Sequence, residues 1–84
     1  MYELFQSDDF KKDMKKLDKS SKEHLEKVVQ KLLENPMRFK PLEGRPGHYR
    51  LRFEHYRLVY KVEGNQVWLL FVRKRDENYR FLRQ

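Results

Sequence analysis

Arg50, Arg52 and Arg57 fall close together in the middle of an 84-residue chain, and Arg73, Lys74 and Arg75 form a single run shortly before Tyr79. A guanidinium is a planar, permanently charged fork of donors that fits phosphate oxygens and stacks on bases. Several of them around one phosphodiester would stabilise the charge that develops as it is cleaved, and a tyrosine beside them could stack on a base or move a proton. The chain as a whole carries 20 Lys and Arg against 13 Asp and Glu, a net charge of +7, which points to a polyanionic partner, nucleic acid above all. A solvated surface of mixed charge is the alternative reading of the same balance. The distribution favours the first. Residues 1–37 hold lysines and acidic residues in near balance, whereas every arginine lies at position 38 or beyond. Scaffold comes first, polyanion-facing surface second.

Other chemistries find little support. The chain has no cysteine and three scattered histidines, so no metal site is expected. No Gly-rich phosphate loop or nucleophile elbow occurs. His24 falls on the polar side of a helical pattern and reads as solvated. His48 and His55 bracket one strand pattern, too far apart to share an acid–base cycle. Asp76 and Glu77 read as partners of neighbouring arginines. No apolar run reaches the length of a membrane span, and Met1–Phe5 lacks the basic and apolar regions of a signal peptide, so a cytoplasmic location is expected.

The elements that must position the arginines can be read from periodicity. Tyr2–Gln6 is a short first strand. Ser7 is an N-cap followed by Asp8 and Asp9, and Phe10, Met14 and Leu17 form the apolar stripe of a first helix. Ser20 with Glu23 reads as a capping box for a second helix, whose stripe is Leu25, Val28, Val29, Leu32 and Leu33. Asn35-Pro36 ends it. Residues 36–47 hold all three prolines and two of three glycines and form a crossing from helix to sheet. Three strand patterns follow: His48–Phe53, Tyr56–Val62 and Val67–Arg73. Glu54-His55 and Gly64-Asn65 are two-residue hairpin loops. The expected fold is α+β, one domain over residues 1–84, two N-terminal helices on one face of an antiparallel sheet in the order β-α-α-β-β-β.

With those loops the register is fixed. Tyr49, Leu51 and Phe53 face Tyr60, Leu58 and Tyr56; then Val62, Tyr60 and Leu58 face Val67, Leu69 and Phe71. That face is apolar throughout and belongs under the helices. On the other face Arg52 stands opposite Arg57, with Arg50 two residues along and no carboxylate in the pattern. Like charges facing across a ladder are unfavourable, and an anion relieves them. Val59, Trp68, Leu70 and Val72 are expected beside them, covered by Phe81 and Leu82 of the C-terminal tail or by a partner chain.

In order along the chain, Pro41-Leu42-Glu43-Gly44, His48-Tyr49-Arg50-Leu51-Arg52, Tyr56-Arg57-Leu58-Val59-Tyr60 and Arg73-Lys74-Arg75 with Tyr79 resemble the RelE/ParE toxin superfamily, and its RelE-like branch in particular. The resemblance implies the toxin of a type II toxin–antitoxin pair. It implies a ribosome-dependent mRNA endonuclease, needing neither metal nor cofactor, in which the RNA 2′-hydroxyl attacks the adjacent phosphate. A cognate antitoxin, wrapping the domain with an amphipathic acidic segment, is implied as partner beside the ribosome and mRNA. Carried over by position, Arg50 and Arg52 occupy places often held by lysine, Arg57 corresponds to the phosphate-binding arginine, and Arg75 and Tyr79 match the C-terminal pair, with Tyr79 or Phe81 in the aromatic place. Arg45, His48, Lys61, Arg73 and Lys74 complete the expected RNA contacts. Arginine, with a pKa above about 12, is a poor base, so the base is unassigned between Tyr79 and His48. Two other readings go with the same resemblance: a ParE-like inhibitor of DNA gyrase that cuts nothing, and a decayed toxin that binds RNA or ribosomes without catalysis.

Overall fold

The computed structural model describes residues 1–74. Strand β1 (Glu3–Gln6) leads into helices α1 (Asp8–Lys15) and α2 (Lys19–Glu34). A 3₁₀ turn (Pro36–Arg38), the two-residue strand β2 (Lys40–Pro41) and a meander of β3 (His48–Phe53), β4 (Tyr56–Glu63) and β5 (Gln66–Lys74) follow. The strands form one sheet in the order β1-β5-β4-β3-β2. Among the described residues no helix is long and apolar enough to cross a membrane.

Both helices sit on one face, as their stripes require. Phe10, Leu17, Leu25, Val29 and Leu32 are buried against Leu51, Phe53, Leu58, Tyr60, Val67, Leu69 and Val72. Met14, Val28 and Leu33 pack at the margin. Tyr60 is completely buried, and its hydroxyl donates to the Pro36 carbonyl at 2.5 Å, fixing the exit from α2 to the sheet. Burial pushes its phenol well above the usual tyrosine range.

Ser7 caps α1 as its position predicts, its Oγ accepting from the Phe10 amide at 3.1 Å. The cap of α2 is Asp18 rather than Ser20. Its Oδ1 accepts from the Ser21 amide at 2.7 Å, so the helix begins at Lys19. Asp and Ser compete as caps here, and the earlier start leaves Ser21 free to face the sheet. Its hydroxyl donates to Glu54 Oε1 at 2.7 Å, while His24 Nδ1 lies 2.8 Å from Glu54 Oε2. The pair ties α2 to the β3–β4 turn, where Glu54 itself adopts φ 52°.

The sheet departs from expectation at two places. Strand β1 runs parallel to β5, with Glu3 to Gln6 aligned on Gln66 to Leu69, so the sheet is antiparallel only across the other four strands. A parallel partner needs a long connection, and here it runs through both helices and the three strands between β1 and β5. The second departure is a β-bulge. Strand β3 pairs with β4 in the expected register, and Val62↔Val67 and Tyr60↔Leu69 also hold. Beyond them the register shifts by one: Val59 faces Phe71 and Leu58 faces Val72, leaving Leu70 as the extra residue. Val72 therefore enters the core, 3 % exposed, and Phe71 turns to the opposite face, the reverse of the expected assignment. One inserted residue exchanges the faces of everything after it.

The bulge is held from α1. The Ser7 amide donates to Leu69 O at 3.0 Å and the Ser7 hydroxyl to Leu70 O at 2.6 Å. Buried Asp13 accepts from the Val72 amide through Oδ2 at 3.1 Å. Replacing Asp13 by Ala strands that buried N–H, and the expected cost is about 1–3 kcal/mol of folding stability, with Asp13→Asn losing less because its amide oxygen still accepts. Urea unfolding of the two variants measures this; equal midpoints for Asp13→Ala and the unsubstituted chain would refute the role.

The Ser21 hydrogen bond, and after it that from His24, hold the Glu54 carboxyl below its ordinary range. A depressed folded-state value contributes stability above the unfolded value and loses it as pH falls through the folded one. The stability gap between the unsubstituted protein and Glu54→Gln is therefore expected to narrow as pH drops below the ordinary carboxylate range. A gap that stays constant on acid titration by circular dichroism would contradict this.

Candidate nucleic-acid interface

Residues opposite one another in an antiparallel pair project to the same face, so the registers sort the face turned away from the helices into rows. Arg52 on β3 aligns with Arg57 on β4, which aligns with Arg73 on β5. Three arginines thus stand level across three adjacent strands. In the next row Lys40 on β2 faces Arg50 on β3, then Val59 and Phe71. The third runs from His48 through Lys61 and Trp68 to Phe5 on β1. Arg52 is exposed, Arg50 and Arg73 are half-buried, and Arg57, in the middle of its row, is only 4 % exposed.

The bulge decides membership of the first row. In the register expected from the two loops, Arg73 would lie opposite Tyr56 on the helix side. The extra residue puts it beside Arg57. Asp13 then reaches the Arg73 Nε at 3.3 Å, and the guanidinium lies over the Phe71 ring, 4.6 Å from its centroid. The expectation of a face without carboxylates consequently fails at Arg73. Among the described residues neither Arg50 nor Arg52 has an ion pair. Asp13 left no distinctive signal in the sequence, where it reads as one more solvated charge on a helix.

Lys61 joins the face but is engaged, its Nζ 2.6 Å from Glu63 Oε1 and 5.7 Å from the Trp68 ring centre. That ion pair draws the Glu63 carboxyl below its usual range. Trp68 stacks on Phe5 at 4.7 Å. His48 Nδ1 lies 3.1 Å from the Pro46 carbonyl. A carbonyl only accepts, so that nitrogen carries the proton in this geometry, and in the neutral ring Nε2 is then the acceptor. The loop before His48 closes on Gly47, whose carbonyl accepts from the Val62 amide at 2.8 Å. Its φ of 77° and the 3.3 Å between a notional Cβ and Val62 O favour glycine there.

Arg45 is exposed in the same loop, where its backbone accepts from the His48 amide at 3.1 Å. Lys74 does not join the rows. It pairs opposite Tyr56 on the helix side and lines a cavity of about 260 Å³ with Asp13, Lys16, Leu17 and Tyr56. Arg75, Tyr79 and Phe81, and the proposed cover by Phe81 and Leu82, lie outside the described residues. Lys40 was missed from sequence, because a two-residue strand inside a proline-rich crossing has no periodicity to detect.

A sheet face with level arginines, half-buried aromatics beside them and helices confined to the other side offers the donors and stacking surfaces that a phosphodiester backbone can use. Comparison with known proteins agrees with that architecture. Residues 4–79 match the model for the ParE toxin of the type II toxin–antitoxin system parDE. No curated protein sequence matches significantly. Among solved structures, a chain of the intact Escherichia coli RelBE toxin–antitoxin complex superposes with a TM-score of 0.80 at 30% identity, covering 88% of this chain and 96% of that one. The isolated E. coli RelE toxin gives 0.77 at 28% identity, with 99% and 98% covered. The RelBE2 toxin–antitoxin complex of Mycobacterium tuberculosis gives 0.77 at 26%, with 88% and 98% covered. The chain belongs to the RelE/ParE superfamily of toxins from type II toxin–antitoxin systems, within its RelE-like branch.

Proposed function

We propose that the chain is an endoribonuclease that cuts mRNA on the ribosome and so inhibits translation. The observation that carries the reading is the level row Arg52–Arg57–Arg73 with Arg50 beside it. Arg50 and Arg52, neither of which has an ion pair among the described residues, concentrate positive charge at one end of the row, and like charges so close repel one another. A phosphodiester seated over the row converts that repulsion into attraction. The attraction grows as attack by the RNA 2′-hydroxyl adds negative charge in the phosphorane, which is the differential binding that catalysis requires. The RNA supplies the nucleophile, so the protein need supply only charge, alignment and proton transfer, with no metal or other cofactor. Arg75 and Tyr79 complete the set in this reading, and Arg45, His48 and Lys61 extend the contact to flanking RNA, whereas Lys74, on the helix side of the sheet, is left out of it.

The cleavage reading places the protein in the cytoplasm, with the ribosome and its mRNA as targets. The E. coli and M. tuberculosis structures are toxin–antitoxin complexes, and they support a cognate antitoxin as partner here. The half-buried aromatic strip Phe5, Trp68 and Phe71 beside the basic rows suits an amphipathic acidic segment. A second reading, gyrase inhibition without RNA cleavage, is favoured by the match to the ParE model.

Induction in a bacterial host is expected to arrest growth, with new mRNA 5′ ends confined to translated regions. Arg52→Ala, an exposed position, should lower the cleavage rate on programmed ribosomes by about 10²-fold with little change in stability, the size expected for losing one charge-stabilising donor. Arg57→Ala together with Arg75→Ala should relieve the arrest. Intact transcripts during toxicity, with DNA-damage signalling and continued translation, would select the gyrase reading instead.

A further inference from the structure

The arginine face binds phosphate but cannot move protons, because a guanidinium keeps its proton throughout the working pH range. Cleavage by a 2′-hydroxyl requires a proton to reach the departing 5′-oxygen. Among the described residues the exchangeable protons on this face belong to His48, Lys61 and Lys40. Lys61 is held by Glu63 and lies against Trp68. His48 is turned with Nδ1 on the Pro46 carbonyl, and in the neutral ring its Nε2 accepts a proton rather than giving one. Lys74 lies on the opposite side of the sheet.

Lys40 is differently placed. Strand β2 pairs Lys40 with Arg50 and Pro41 with Tyr49, and the Leu42 amide continues the ladder by donating to His48 O at 2.9 Å. The Lys40 side chain therefore leaves the sheet on the arginine face, directly across from Arg50 and diagonal to both Arg52 and His48. Such diagonal neighbours stand roughly 7–8 Å apart, within reach of a four-carbon stem. Lys40 is exposed and has no ion pair among the described residues. Pro41, following it, fixes the short edge strand that sets this register.

We propose that Lys40 is the proton donor to the leaving group, an assignment that rests on the nuclease reading above. As the 2′-oxygen bonds to phosphorus, the bond from phosphorus to O5′ breaks and its electron pair leaves on O5′, which takes a proton from Lys40 Nζ. The 2′-hydroxyl proton passes to a base on the same face, the role open to Nε2 of neutral His48. The products are a 2′,3′-cyclic phosphate and a 5′-hydroxyl, with no net proton change. Arginines at positions 50 and 52 thus hold the phosphate, and the lysine across the strand pair handles the proton.

The test uses the full chain on ribosomes programmed with two mRNAs, one natural and one carrying sulfur in place of the bridging 5′-oxygen at the cleavage site. A thiolate leaves without protonation, so the second mRNA does not need the donor. Lys40→Arg keeps the charge and is expected to slow natural mRNA at least 10²-fold, within the range general acid catalysis supplies, while cutting the sulfur-bridged mRNA within a few-fold of the unsubstituted rate. The chain has no cysteine, so Lys40→Cys can be alkylated at that position alone to an aminoethyl thioether. This weaker base should restore cleavage of natural mRNA and move the alkaline limb of the rate profile to lower pH. An unimpaired Lys40→Arg, or one equally slow on both mRNAs, overturns the assignment while leaving the nuclease reading standing. Failure of the unsubstituted protein to cut either mRNA removes both.

Discussion

Strand β5 runs from Gln66 to Lys74, but β1 covers its outer edge only as far as Leu69. From there the edge needs other partners, since buried backbone groups left without hydrogen bonds are costly. Helix α1 provides them. Ser7 serves twice, as acceptor for its own helix and as donor to Leu70 O, and Asp13 replaces the missing strand at the Val72 amide. These contacts hold the bulge. The bulge in turn puts Val72 under the helices and Arg73 beside Arg57. Core packing and the basic row are therefore set by one local choice at the end of a four-residue strand, and neither can be changed without the other.

The same carboxylate has a second consequence. Asp13 engages the Arg73 Nε, with the guanidinium carbon over the Phe71 ring, and leaves the terminal nitrogens to other partners. The pair, with Asp13 buried and Arg73 half-buried, reduces the freedom of a long side chain that must meet a ligand in one pose. The row is consequently asymmetric. Arg73 is oriented, Arg57 is enclosed by its neighbours, and Arg52 is solvated. An incoming phosphate would order Arg52 and Arg50 far more than Arg73.

Much of this was legible from local rules. The helix stripes, the Ser7 cap and both two-residue loops depend on neighbours a few residues apart, and they fixed the Arg52–Arg57 pairing without reference to the rest of the chain. What escaped depends on distant contacts. The parallel pairing of β1 and the bulge at Leu70 arise where α1 meets β5, and no pattern inside 66–74 marks them. Arg73 was expected among the RNA contacts by charge alone, although the simple register would have put it on the wrong side of the sheet. At Asp18 and Ser20 two plausible caps stood two residues apart, and the contact between Ser21 and Glu54 goes with the earlier one.

Arginine at positions 50 and 52 bears on how the labour of catalysis can be divided. A lysine there could hold a phosphate and release a proton, but the two tasks conflict, because a side chain tuned to lose its proton binds anions less well. Fixed charge at those positions removes the conflict and leaves proton transfer to neighbours. The sheet allows this because β2, only two residues long, sets a lysine across from Arg50, and the Gly47 turn sets an imidazole two residues before it. The arrangement demands that the crossing segment 36–47 be held as firmly as the strands. The Tyr60 hydroxyl on Pro36, the Gly47 carbonyl on Val62 and the Leu42 amide on His48 meet that demand, tying both ends of the segment to the two central strands that carry the arginines.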